Sequence, residues 1–146
     1  MNILVIIIIL FLVLESLNIV LLYFAPESTK GNSLGYFEAF EKSKKDPDVH
    51  LLVLYLINWV AGTKLIFIML LVVILCFGDS KTIFYSTVAL IGTISVFYWR
   101  LYPLIRKIDD DGNITPKGYS KTLGIMIGVF ILVFLVGAAF YYQKVY

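Results

Sequence analysis

The sequence predicts an all-α integral membrane protein: a bundle of four membrane-crossing helices, with a short amphipathic helix in the first connecting loop. Three observations carry this. Of the 146 residues, 60% are hydrophobic and only 15% charged, and mean hydropathy is +0.92. A soluble domain carries roughly 25% charged residues to cover its surface. Four apolar runs each reach the length of about 20 residues that a helix needs to cross a bilayer core. Finally, lysine and arginine gather in two of the connections between those runs.

The first run covers residues 3–24 and is interrupted only by Glu15, Ser16 and Asn18. No basic residue precedes it and it exceeds the apolar core of a cleaved leader, so it reads as a retained span. The second covers 51–77, with Asn58 and Lys64 inside it. Asp46-Pro47-Asp48 ahead of it supplies a cap, a first-turn proline and acidity at the positive helix end. The third covers 83–102 and stops before Pro103, a residue that interrupts helices. Its short connection to the second run, residues 78–82, demands an antiparallel hairpin. The fourth covers 119–142, with Thr115-Pro116 marking the approach to its start. All four belong to one membrane domain spanning residues 1–146.

Sidedness follows from the basic residues near the span ends. Lys30, Lys42, Lys44, Lys45, Arg100, Arg106, Lys107, Lys117 and Lys121 fall on one side, nine in number, against Lys81 and Lys144 on the other. This puts the loops at about 25–48 and 103–118 in the cytoplasm and both termini on the non-cytoplasmic side. Aromatic residues mark the same boundaries: Tyr23, Phe24, Tyr98, Trp99 and Tyr102 on the inner side, and Phe140, Tyr141, Tyr142 and Tyr146 on the outer.

In the first loop, Leu34, Phe37 and Phe40 recur at helical spacing, with Glu38 and Glu41 early and Lys42, Lys44 and Lys45 late. That order suits the helix dipole. The apolar side either tucks against the bundle or meets a partner or the lipid headgroup layer. Phe37, Phe40, Lys44, Lys45, Arg100 and Arg106 are the candidates for binding anionic headgroups or a partner, at roughly 1 kcal/mol for each basic residue near an anionic surface. The second loop, Lys107 through Gly118, has the middle of a calcium-binding EF-hand loop, with Asp109 and Asp111 as weak metal candidates. Lys107 and Gly118 stand where its first and last carboxylates belong. A polar turn is the simpler reading, and no cofactor is expected.

Ionisable groups inside a span are costly and mark function or a structural contact. Glu15 lies roughly 13 Å and Lys64 roughly 20 Å from the cytoplasmic ends of their spans at 1.5 Å per residue. Their opposite leans along the helices close the gap. Glu15 and Asn18 share a face. Asn58 competes as the partner of Glu15, although it sits about 120° around its helix from Lys64. Such a contact either fixes helix register or takes up a proton, an ion or a cationic substrate. In the third span Ser86, Ala89, Thr93, Val96 and Arg100 form a small-and-polar seam. In the fourth, Gly124 and Gly128 allow close helix approach. His50 and Cys76 read as structural.

The bulk numbers also exclude classes. A single cysteine rules out an intrachain disulfide and paired-thiol redox chemistry. A single histidine rules out a haem held by two histidines of one chain. A net charge of +2 gives no case for nucleic acid. Four spans in a short chain with a membrane-embedded glutamate in the first, Glu15, resemble the small multidrug resistance transporters. The likeness implies transport with Glu15 as the substrate or proton site. The longer first loop and Lys64 depart from that family. Four-helix glutathione and eicosanoid membrane enzymes have a similar size, but their arginine-rich second span is missing.

Two functions stand ahead of a third, a lipid-modifying enzyme, for which no histidine-rich, paired-acid or nucleophile motif lies near the cytoplasmic boundary. One is a small homo-oligomeric transporter or channel that uses Glu15, with Lys64 and Asn58 as its partners. A second copy is expected there because four helices enclose little volume. The other is a non-catalytic scaffold or accessory subunit that binds a cytoplasmic partner or anionic lipid through its loops.

Overall fold

The computed structural model describes residues 3–145, and the side chains of residues 3–143; the Lys144 side chain and Tyr146, both assigned above to the outer boundary, lie outside the described residues. Helices α1 (Ile3–Phe24), α2 (Glu38–Ser43), α3 (Pro47–Phe77), α4 (Ser80–Ser95), α5 (Phe97–Asp110) and α6 (Tyr119–Val145) follow one another, with a 3-10 turn at Leu34–Tyr36. No strand occurs among the described residues, and the helices form four long rods, because α4 and α5 run on as one rod. All four rods are long and apolar enough to cross a membrane.

The ends of the elements follow from local chemistry. Asp46 caps α3 by accepting from the N–H groups of Asp48 and Val49, at 3.1 and 3.3 Å, and Pro47 opens the helix. Asp79 caps α4 by accepting from the N–H and hydroxyl of Thr82, at 2.8 and 2.6 Å. Only Gly78 and Asp79 separate α3 from α4, which makes the expected hairpin. The α-helical ladder between α4 and α5 is interrupted at Val96, whose N–H donates to the Thr93 carbonyl. Just before it, the hydroxyls of Thr93 and Ser95 donate to the carbonyls of Leu90 and Ile91. Back-bonding of this kind slightly destabilises a helix.

The third rod does not stop before Pro103. It continues through that proline to Asp110, so the second loop is shorter than the expected 103–118. Proline removes one N–H and crowds the carbonyl one turn back, which costs stability but does not forbid helix. The apolar stripe Leu101, Leu104, Ile105 and Ile108 keeps the helical period beyond it. The helix ends at Asp111-Gly112 in a Schellman motif: Gly112, at φ +76, donates to the Asp109 carbonyl, and Asn113 donates to that of Ile108. The left-handed backbone there favours glycine. The run Asp109-Asp110-Asp111-Gly112 is therefore a helix stop.

Around α1 the bundle is antiparallel. Leu4, Ile8, Phe11, Leu12, Ile19 and Leu22 are buried, and Phe11 meets Phe67 of α3 and Phe130 and Phe134 of α6 edge to face. Glycines set close approaches on α6. A Cβ on Gly124 would lie 2.6 Å from the Tyr102 ring, and one on Gly137 would lie 2.5 Å from Ile7. Tyr98 donates to the Gly124 carbonyl at 2.6 Å. The Gly124–Gly128 pair thus packs against aromatic side chains of α5. The buried face of α4 is Ile83, Thr87 and Leu90 rather than the seam of Ser86, Ala89 and Thr93. The bulkier aliphatic face fills the core, and the seam flanks a groove between α3 and α4.

One pair of rods parts. α3 meets α1 and α4, and α6 meets α1, α4 and α5, but no Cα of α3 comes within 8 Å of α5. The hairpin holds α3 and α4 together at one end, and the rods splay toward the other.

Candidate functional site

Glu15, Asn18 and Lys64 meet between α1 and α3. Phe11, Glu15, Asn18 and Leu22 recur at steps of three and four along α1. On α3, Ile57, Ala61, Lys64, Ile68 and Leu71 do the same. Ala61 has no exposed surface and lets the two backbones approach. The Lys64 ammonium donates to Glu15 Oε2 at 2.7 Å and to Asn18 Oδ1 at 2.6 Å. The Glu15 and Lys64 side chains are each 27% exposed. Asn18 is buried, and its Nδ2 has no hydrogen-bond partner. Lys64 and Glu15 thus neutralise each other's charge, and Asn18 accepts a second Lys64 N–H while its own amide donor is left over. A polar group without a partner is costly in an apolar interior.

Three cavities reach Lys64, and one of them also reaches Glu15. The widest, about 660 Å³, is an open groove edged by Trp59, Val60, Thr63, Phe67 and Thr93. An open chamber of about 260 Å³ is lined by Glu15 and Lys64 with Phe11, Phe67, Leu90 and Phe130. A larger groove of about 450 Å³ fills the gap where α3 and α5 part. Val53, Ile57 and Val60 of α3 face Leu101, Leu104 and Ile105 of α5 across it, and Lys64 lies in its lining. Apart from Lys64 and Asn32, its walls are apolar. Its size is in the range of roughly 300–1,000 Å³ usual for ligand pockets.

Asn58 does not join the cluster. Its Nδ2 donates to the Leu54 carbonyl at 2.8 Å on an exposed face of α3. The angular offset from Lys64 along a regular helix is the reason.

The first loop folds onto the bundle instead of forming one amphipathic helix. Its helical run is broken at Phe37, whose backbone is extended and pairs with Ile114 across the two loops. Glu38 donates to the Asn113 carbonyl and Thr115 to that of Tyr36. Tyr36 stacks on Tyr119 with ring centroids 4.1 Å apart. Phe37 is half-buried in the wall of the α3–α5 groove, and Phe40 is buried beside the His50 ring. His50 Nδ1 in turn hydrogen-bonds the Ser43 hydroxyl at 2.9 Å. Phe40 is thus enclosed, whereas Phe37 keeps part of its surface in the groove and in a cleft on the loop side.

Among the basic candidates, Lys44 is held by Glu41 at 2.8 Å and Glu27 at 3.1 Å. Accepting its N–H groups, these carboxylates hold the Lys44 amine above its ordinary pKa, Glu41 most. Lys45 is exposed. Arg100 lies over the Trp99 ring, 5.3 Å from its centroid, and Arg106 faces Asp110 at 3.8 Å.

Asp109 has a structural role that the sequence did not reveal. It is buried, and its oxygens accept from the N–H of Gly118 at 2.9 Å and from the N–H and hydroxyl of Ser120 at 2.9 and 2.6 Å. It thus ties the end of α5 to the start of α6, where the helix dipole favours an anion. Both oxygens are occupied, and Asp111 is exposed, so the two do not converge as metal ligands. No group of three metal-ligating side chains occurs among the described residues.

No family model, curated protein or solved structure matches this chain.

Proposed function

We propose that this chain is a multi-pass integral membrane protein acting as a small transporter or carrier for a molecule dissolved in the bilayer. The molecule enters sideways between α3 and α5 and is recognised at Lys64 and Glu15, with Asn18 holding the Lys64 ammonium in place. The basic loops lie in the cytoplasm and both termini on the other side, as the distribution of lysine and arginine indicates.

One observation carries this reading: Lys64 belongs to the lining of both the chamber beside Glu15 and the side groove. A charged side chain at mid-bilayer depth costs at least about 2.5–3.5 kcal/mol on insertion scales. Pairing with Glu15 offsets part of that cost. The apolar walls of the groove are unsuited to a hydrated ion, which favours a substrate drawn from lipid over an aqueous channel. Because one chain forms the whole groove, recognition at the cluster does not require a second copy. The accessory-subunit reading relied on Phe37 and Phe40 as a docking face, and their packing against the bundle weighs against it.

Photolabelling tests the lateral opening. The full chain is reconstituted in vesicles that contain phosphatidylcholine with a diazirine at the end of one acyl chain. Label is expected on inward-facing Ile57 and Ile105 as well as on the outer faces of the helices. Ile57→Trp should fill the groove and remove label from Ile105. Label confined to outward-facing residues would refute a side entrance.

A further inference from the structure

The hydrogen-bonding inventory at the cluster points to the chemical class of the ligand, on the assumption that the side groove is a binding site. A lysine ammonium has three N–H donors. Two of those on Lys64 go to Glu15 and Asn18. No acceptor takes the third among the described residues. Glu15 receives Lys64 at Oε2, and its other oxygen accepts no hydrogen bond from the described residues. Asn18 Nδ2 is buried and unpartnered but lines neither the chamber nor the side groove, so it does not face a ligand there. A spare donor and a spare acceptor therefore lie on one ion pair whose net charge is zero.

We propose that the ligand is a neutral lipid alcohol: an apolar body with one hydroxyl. A hydroxyl both donates and accepts, so it satisfies the Lys64 N–H and the free Glu15 oxygen together. A carbonyl or ether oxygen can only accept and leaves Glu15 unmet. An anionic head would face the Glu15 carboxylate, and a cationic head the Lys64 ammonium. Repulsion of that kind is severe where the dielectric is low. The hydroxyl sits in the chamber edged by Phe11, Phe67 and Phe130, where Glu15 and Lys64 both line the wall. The groove edged by Ile57 and Ile105 reaches Lys64 but not Glu15, and it takes the apolar body on its way in.

The test uses the full chain in phosphatidylcholine vesicles and three diazirine-bearing probes of the same chain length. These are a long-chain primary alcohol, its methyl ether and the matching alkyl sulfate. The alcohol should label peptides that line the chamber and groove roughly tenfold or more above either analogue, the factor expected from hydrogen bonds to charged groups. In the double variant Glu15→Leu, Lys64→Met the preference for alcohol over ether should vanish while the apolar groove still takes label. Equal labelling by the alcohol and the ether in the unaltered chain, or a preference for the sulfate, would overturn the ligand class and leave the side entrance standing. If none of the probes labelled those peptides, the side entrance would fall as well.

Discussion

Lys64 and Glu15 meet because α1 and α3 are antiparallel neighbours and their long side chains lean toward each other along the helix axes. Each alone would be an ionised group in an apolar setting. Removing one partner of such a pair commonly costs about 3–5 kcal/mol, because the other charge is left uncompensated, whereas replacing both with apolar groups is close to neutral. Lys64→Met alone and Glu15→Leu alone should therefore both lower unfolding stability, and the double variant should recover most of the loss. Denaturant titration in mixed micelles measures this. Additive losses would mean that the two charges are not coupled. The pair was readable from sequence because both residues interrupt apolar runs at compatible depths. Asn18 was readable as well, since it shares a helix face with Glu15. Asn58 was an equally visible polar interruption, but its own helix satisfies it through the Leu54 carbonyl. Which polar group stays local depends on helix rotation, and composition does not fix that.

The same contrast holds at the level of elements. The α3–α4 hairpin and the Asp46 cap are strictly local, and sequence predicts them well. The continuation of α5 past Pro103 was misjudged because proline is a strong helix breaker in the abstract. Here the apolar stripe keeps its helical period across the proline, and Ile105 beyond it is buried against the bundle. The acid-rich turn was also ambiguous. It resembles part of a calcium loop, but Gly112 stops a helix and Asp109 fastens that helix to the next. Such a long-range tie leaves no trace in local spacing. Asp109→Ala should destabilise the protein by about 2–3 kcal/mol, given the usual worth of hydrogen bonds to a charged group. Asp110→Ala, on the exposed side, should change stability by no more than about 0.5 kcal/mol. Thermal unfolding of the two variants side by side checks this. Equal effects would show that the tie contributes nothing.

At the scale of the whole molecule, the decisive feature is the gap between α3 and α5. Four rods of similar length were predicted, but which of them would part was not. The splay depends on the interruption at Val96, on the aromatic packing of Tyr98 and Tyr102 against Gly124, and on the loops that close the wide end. Each of these joins residues far apart in the chain. The loops also bury Phe40 and half-bury Phe37 where they close the bundle. What remains open is the groove beside Lys64, and the functional reading rests on the pair at its inner edge being real in a bilayer. Solid-state NMR of the chain in lipid bilayers, with 15N on lysine side chains and 13C on glutamate carboxyls, measures that contact directly. The account predicts a strong Nζ–Cδ coupling that disappears in Lys64→Met and in Glu15→Gln but survives dilution with unlabelled chain. A spectrum unchanged by either substitution, or a coupling lost on dilution, would contradict a contact made within one chain.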